Sequence, residues 1–446
     1  MYAIGPGLLH LSWSADGKYL AFADKGSEEK AYVIFLLALN TLEKRRLTTP
    51  SAQHFGDFNP AFSLDGNTVA FVRFGAHGAD IFLVSVSGGQ PRRLTFDNAF
   101  IRGLDWTPDG RELVFSSDRA GLPSLWRISG SGGAPREITV GAGNTLFPSV
   151  SRQGTHLAYE QVAYDPNIWR VEVPSSPGKS LSRTKLIGSS RGEAGPQISP
   201  DGKKITFCSD RSGTPQIWIC GSDGSHCVQV TSMTGPNTCT PRWSPDGREI
   251  AFDSRPEGAA DVYVVDVERR VSRRLTTDYA FDGIPSWSND GRWVYFASRR
   301  TGSLQVWRVP ADGGPVVQIT QHGGFAAFES PDGQFVYYAK FEKPGIWRVA
   351  TEGGEEQLVL DVLGPGLWGY WTVVDTGIYF LNAEAKPRAT IEFFSFATRR
   401  VMPVAALEKE PDAWDPGLAV SPDGRWILYS QVDQLGIDVM LVENFR

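Results

Sequence analysis

Six histidines, four cysteines, a recurring Asp-Arg pair and one aromatic cluster are the residues of this chain whose chemistry could go beyond packing. The histidines (His10, His54, His77, His156, His226 and His322) never lie four apart, so no segment offers the paired imidazoles of a helical zinc site. His54, His77 and His322 fall in or near variable loops, where ligands could be assembled from separated segments. The cysteines, Cys208, Cys220, Cys227 and Cys239, are spaced x11, x6, x11 without a Cys-x-x-Cys pair, a poor zinc pattern. Cys220 takes a position held elsewhere by Ile128, Val309 and Val349, so it reads as a small core residue. Free thiols are expected, with a local disulfide or zinc as the alternatives, and the redox compartment stays open.

The Asp-Arg pairs sit in "SDRAG" and "SDRSG" (Asp118, Arg119, Asp210, Arg211). A charged turn beside a channel could clamp an anion. Its recurrence in several units favours a turn-stabilising ion pair or hydrogen bond. The aromatic cluster is Trp368, Tyr370 and Trp371, where the local pattern departs most from the rest of the chain. Such rings either stack on a sugar or peptide or fill an irregular space.

What positions these residues is a repeat. "WSPDGREIAF" (Trp243 to Phe252) returns as "WSADGKYLAF", "WTPDGRELVF", "WSNDGRWVYF" and "VSPDGRWILY". The glycine of this turn falls at Gly17, Gly66, Gly110, Gly154, Gly202, Gly247, Gly291, Gly333, Gly377 and Gly424, at intervals of 42 to 49 residues. That period in a chain rich in Gly and aromatics predicts propeller blades. Each unit reads as four strands. The first ends in Trp, Phe, Val or Ile, and Asp-Gly is expected to close a type I′ hairpin. An aliphatic and an aromatic two apart (Ile205/Phe207, Ile250/Phe252) then share one sheet face and pack against the next blade. A Trp-bearing third strand and a fourth ending "LT" or "IT" complete the unit. No segment shows a helical period, so the chain is expected to be all-β and to lack the strand-to-helix elbow of a serine hydrolase.

The unit "SPDGxxIAFxSxRxG…IWxxxxxGGxxxxLT" resembles the WD40-like repeat of TolB-type bacterial β-propellers over essentially the whole chain. The ending "VSPDGRWILYSQVDQLGIDVMLVENFR" resembles the C-terminal end of ToxR/CadC-type winged-helix regulators. The first resemblance implies a binding scaffold. The second implies a sensor that faces the periplasm, preceded by DNA-binding and membrane segments absent from this chain.

A net charge of −6 disfavours a nucleic-acid surface. The basic pairs Arg45/Arg46, Arg92/Arg93 and Arg273/Arg274 precede "LT" and fit charged edge strands. No run of eighteen apolar residues and no signal-peptide pattern is present. Residues 1–446 are therefore expected to form one propeller of ten four-stranded antiparallel blades of about 45 residues. A single ring closed by pairing Tyr2–Ile4 with the terminal strand is the expectation, and two smaller rings the alternative.

The turns of Asp-Gly and Gly-Gly share one face, which is stereotyped, whereas the loops between units share the other with the "SDRxG" turns. Binding is expected on that loop face. The candidate ligand contacts are Trp368, Tyr370, Trp371, His54, Arg102, Tyr279, Asp282 and His322, with no catalytic residue, metal or cofactor assigned. The leading expectation is a monomeric, non-catalytic sensor or interaction propeller that takes a protein, peptide or small polar ligand. A TolB-like envelope partner-binding protein and a metal-assisted carbohydrate or peptide lyase or hydrolase are the rivals.

Overall fold

The computed structural model describes residues 10–25, 31–51, 54–75, 78–96, 99–141, 143–152, 155–173, 182–365, 368–413 and 417–445. Tyr2–Ile4, Gly154 and His77 lie outside the described residues. The described chain is all-β, in nine antiparallel sheets, eight of four strands and one of five.

One blade serves for all. Glu193–Ile198, Lys204–Ser209, Gln216–Gly221 and Val228–Gln229 pair in chain order. The first turn is tied by its own side chains: Ser199 Oγ donates to Asp201 (2.6 Å) and accepts from the Lys204 amide (2.9 Å). Gly202, at φ 71°, is the only residue of that turn in the left-handed region. The turn is thus a longer loop ending in a left-handed glycine, and not the expected type I′ hairpin, which needs two such residues. The "VT" ending also has a job. Thr231 Oγ1 accepts the Ile217 amide (2.9 Å) and donates to Gln216 (2.8 Å), pinning the outer strand to the third. Ile205 and Phe207 are buried against Ile168 and Leu428 of the preceding blade, and Ile250 and Phe252 against Ile217 and Ile219. They pack backward, not onto the next blade.

The innermost strands bulge. Residues before proline, Asn59, Phe147, Gly195, Thr240 and Ile284, adopt positive φ, and the pairing register slips at each. For β-branched Thr240 and Ile284 this is a strained conformation that the surrounding structure has to impose.

By contacts the chain divides into two compact units: residues 1–163, 257–259 and 436–446, and residues 164–256 and 260–435. In the first, the inner strands Leu11–Trp13, His54–Phe62, Ile101–Trp106 and Thr145–Val150 touch in succession. Arg152 donates to the Trp13 carbonyl (2.7 Å) and His10 stacks on Phe147 (5.0 Å), which brings the fourth back to the first. In the second unit Glu193–Ile198, Thr238–Trp243, Asp282–Trp287, Phe325–Glu329, Trp371–Val374 and Leu418–Val420 touch in succession, and the last meets the first.

The expected single ring of ten is therefore replaced by four and six inner strands. A smaller ring leaves a lumen that side chains can fill at native packing density, which ten blades would not. Two long strands, Leu157–Glu172 and Trp426–Val442, each contribute residues to both units. In the six-stranded ring they supply one composite blade, in which Asn167 and Trp169 donate to Asp433 (3.0 and 3.1 Å).

The cysteines are not free. Cys208 is bonded to Cys239, which joins two adjacent blades, and Cys220 to Cys227, within one blade. The misreading has a plain cause: Cys208 and Cys239 are 31 residues apart in sequence but 5.1 Å apart at Cα, and only blade stacking brings them together.

Candidate functional site

The eight sequence candidates divide between the two units. His54 and Arg102 belong to the four-bladed unit, the other six to the six-bladed unit. Trp371 is completely buried with its ring edge-on to Phe328 (4.8 Å). Trp368 is buried too, and Tyr370 donates from its buried hydroxyl to the Asp412 carbonyl (3.2 Å). The cluster is core, filling an irregular blade, and offers no ring face at a channel mouth. Asp282 is also buried and bound to Arg300 (2.7 Å). His54 is half-buried and bonded to Ser51 (2.7 Å), and burial and Arg73 hold its pKa below the ordinary histidine value. Arg102 lies over Phe100 (4.8 Å). Tyr279 and His322 are open to solvent, 80% and 77% exposed, in loops that feed inner strands of the six-bladed unit.

The Asp-Arg turns are structural. Arg211 lies over Phe207 and Trp218 (5.2 and 5.0 Å), donates to Ser209 (3.0 Å) and pairs with buried Glu193 (2.8 Å). Arg300 repeats this with Phe296, Trp307, Ser298 and Asp282, and Arg119 with Phe115, Trp126 and Ser117. Asp118 and Asp210 each accept a loop amide, from Phe100 (2.7 Å) and Gly192 (2.9 Å). These charges are spoken for by the blade.

A different layer is not. Strand register places Gln197, Arg242, Ser286, Phe328, Thr372 and Ala419 at one level of the six inner strands. Gln197 does what this position does elsewhere, accepting the amide of the next inner strand (Trp243 N, 2.8 Å). Ser12 does the same for Phe62 (3.0 Å) and Asp105 for Val150 (2.8 Å) in the four-bladed unit.

Arg242 cannot, because a guanidinium accepts nothing. It is 9% exposed and reaches past the neighbouring inner strand to the ring of Phe328, two strands on (5.5 Å). Its Nη1 donates to the Pro241 carbonyl (3.0 Å), and its buried Nε has no partner. Burial pushes its pKa down to about 10, against the pull of Asp253, so it stays charged at neutral pH. Ser286, on the strand it passes, has a buried Oγ that is also without a partner. Sequence reading missed both, though for Arg242 the signal was there: it is the one basic residue at a position that other units fill with Ser, Ala, Asp, Gln, Phe or Thr.

Asp253 lies one bulge away, at a strand position held by Cys208 and Ala297 in the flanking blades. It accepts from Thr240 Oγ1 (2.5 Å) and the Ile284 amide (2.8 Å), the two strained residues. Burial raises its pKa and these two bonds oppose the rise. In the blade that carries Phe328, Lys340 and Glu356 form a buried pair (2.7 Å). Burial works against the Glu356 charge, but Lys340 and the amides of Gln321 and His322 bring its pKa to about 2.

Among the described residues no group of three His, Cys, Asp or Glu side chains could hold a metal ion. Gly188–Gly192 does spell Gly-x-Ser-x-Gly, a match the sequence reading passed over. It is a loop between the strands Arg183–Ile187 and Glu193–Ile198, and no helix follows. Nothing there makes Ser190 a nucleophile. The inner layer, with a buried guanidinium at its centre, suits recognition of charge.

Comparison with known proteins agrees with this fold. The TolB beta propeller domain (PD40) model matches residues 7–190 and 228–362. An uncharacterized protein of Agrobacterium fabrum is 37% identical over 203 residues, 44% of this chain and 67% of that protein. A TolB homolog of Chlorobium luteolum is 31% identical over 163 residues, 35% of each, so the chain spans about a third of that relative. The crystal structure of TolB from Acinetobacter baumannii aligns over 77% of this chain and 80% of its own, with 17% identity and a TM-score of 0.36. On the extent of the repeat match, the chain belongs to the TolB beta-propeller domain family.

Proposed function

We propose that this chain is a non-catalytic, TolB-like partner-binding propeller of the cell envelope, which takes a protein or peptide on the loop face of its six-bladed unit. The observation that carries the reading is a contrast in that unit. Its repeated charges are consumed inside the blades, while the side chains of Tyr279 and His322 are largely exposed to solvent on loops entering the inner strands. Exposed aromatic and polar side chains on a rigid ring are the usual stuff of a binding surface. Family membership supports this reading over the regulator suggested by the chain's last residues. The two disulfides support an oxidising compartment, as the periplasm is.

Photo-crosslinking tests it. With p-benzoylphenylalanine at Tyr279, cells that make the protein natively are expected to yield one discrete envelope-protein adduct. The same probe at Asp312, in the exposed turn between third and fourth strands, is expected to yield none. Equal adducts from both positions, or none from either, would remove the loop face as the docking surface.

A further inference from the structure

The guanidinium of Arg242 presents a physical problem that the blades do not solve. Taking a charge out of water costs several kcal/mol even after relaxation, and a buried cation is normally matched by a carboxylate. Every other arginine of this ring discussed above has one: Arg211 has Glu193, Arg300 has Asp282. Arg242 has a carbonyl on one corner and an aromatic ring nearby, and among the described residues no carboxylate lies within ion-pair distance. Asp253 attracts it from farther away but spends one oxygen on Thr240 and Ile284.

What is left open on Arg242 has a shape. Nη1 is used, so the Nε edge of the planar fork remains, the edge that takes an oxyanion through two parallel hydrogen bonds. Ser286 Oγ, buried and unpartnered on the strand that Arg242 passes, adds a third donor at the same level. Phe328 supplies an apolar ring to the layer, and Gln197, Phe328 and Thr372 are each partly open to solvent. Removing water around a fixed cation strengthens its attraction for an anion.

We infer that the inner layer of the six-bladed unit is a carboxylate-binding site, with Arg242 as the charged fork and Ser286 as the second donor. The carboxylate belongs either to a small free acid or to the end or an acidic side chain of a bound peptide. The inference rests on the inner layer and not on where a partner docks, so it stands or falls separately from the loop-face reading.

The test is a thermal-shift titration of the whole chain with sodium acetate against sodium chloride at equal ionic strength, alongside tetra-alanine with a free and an amidated C-terminus. Any ligand held only by the native state raises the midpoint with concentration. Acetate is expected to raise it where chloride does not. Arg242→Met is expected to abolish the effect, and Ser286→Ala to weaken the apparent affinity by about 2- to 12-fold, the worth of one hydrogen bond. If only the free-acid peptide acts, the site stands and its ligand is partner-borne. No response to acetate or to either peptide in the wild type, or a response that Arg242→Met leaves intact, overturns the assignment. The wild-type titration needs no variant to fold.

Discussion

The same inner-strand position does two different things in the two units. In the four-bladed unit Ser12 and Asp105 turn toward the next strand and accept its amide, and Gln197 opens the six-bladed unit in the same way. One strand later the position is Arg242, then Ser286, and neither the Arg242 Nε nor the Ser286 Oγ finds a partner among the described residues. A propeller needs its inner strands latched, so a blade that abandons the latch gives up stability at that point. The difference teaches where to look: satisfied polar residues hold the ring, and the unsatisfied pair faces something else.

Five variants sharpen that comparison. The largest effect is expected from Glu193→Ala, which strands Arg211 against Phe207 and Trp218 without its carboxylate. Breaking a buried pair from one side costs about 3–5 kcal/mol. Arg242→Met should cost less than about 1 kcal/mol, or stabilise, because no on-chain pair is broken. Urea unfolding of the two variants side by side measures this, and equal losses would mean that Arg242 is as structural as Arg211. Next comes the Cys208→Ala, Cys239→Ala double variant, expected to lose about 2–4 kcal/mol by freeing a long loop in the unfolded chain. Under reductant, which also opens Cys220–Cys227, the wild type should fall at least to the variant's melting temperature. If reductant leaves it unchanged, the blades do not depend on that crosslink. Smallest is Asp105→Ala, expected to cost about 1–3 kcal/mol by leaving the buried Val150 amide unpaired. Ser286→Ala, at the matching level, should change stability by under about 0.5 kcal/mol. A large loss in Ser286→Ala would erase the distinction between the units.

The repeat made most of the scaffold readable. Ser199, Asp201 and Gly202 tie their turn through neighbours within five residues, and Ile205 and Phe207 announce a shared face by spacing alone. What spacing does not encode is which blades meet. The one-ring expectation, the Cys208–Cys239 bond and the isolation of Arg242 all depend on contacts between segments dozens of residues apart. Trp371 shows the opposite error. Its departure from the pattern was real, but the departure accommodates packing on Phe328 and not a ligand. Arg242 hid because an arginine on a strand end reads as an edge charge until its neighbours are known.

The strands Leu157–Glu172 and Trp426–Val442 carry a consequence for biosynthesis. Neither unit is a contiguous stretch of the chain: the four-bladed one waits for residues 436–446, and the six-bladed one cannot seat its composite blade before residues 418–435 exist. During translation both therefore remain open sheets with unpaired edges until the segment 418–446 has been made. Truncation before residue 418 would then disable both units at once, and no single cut in the chain could release either one whole.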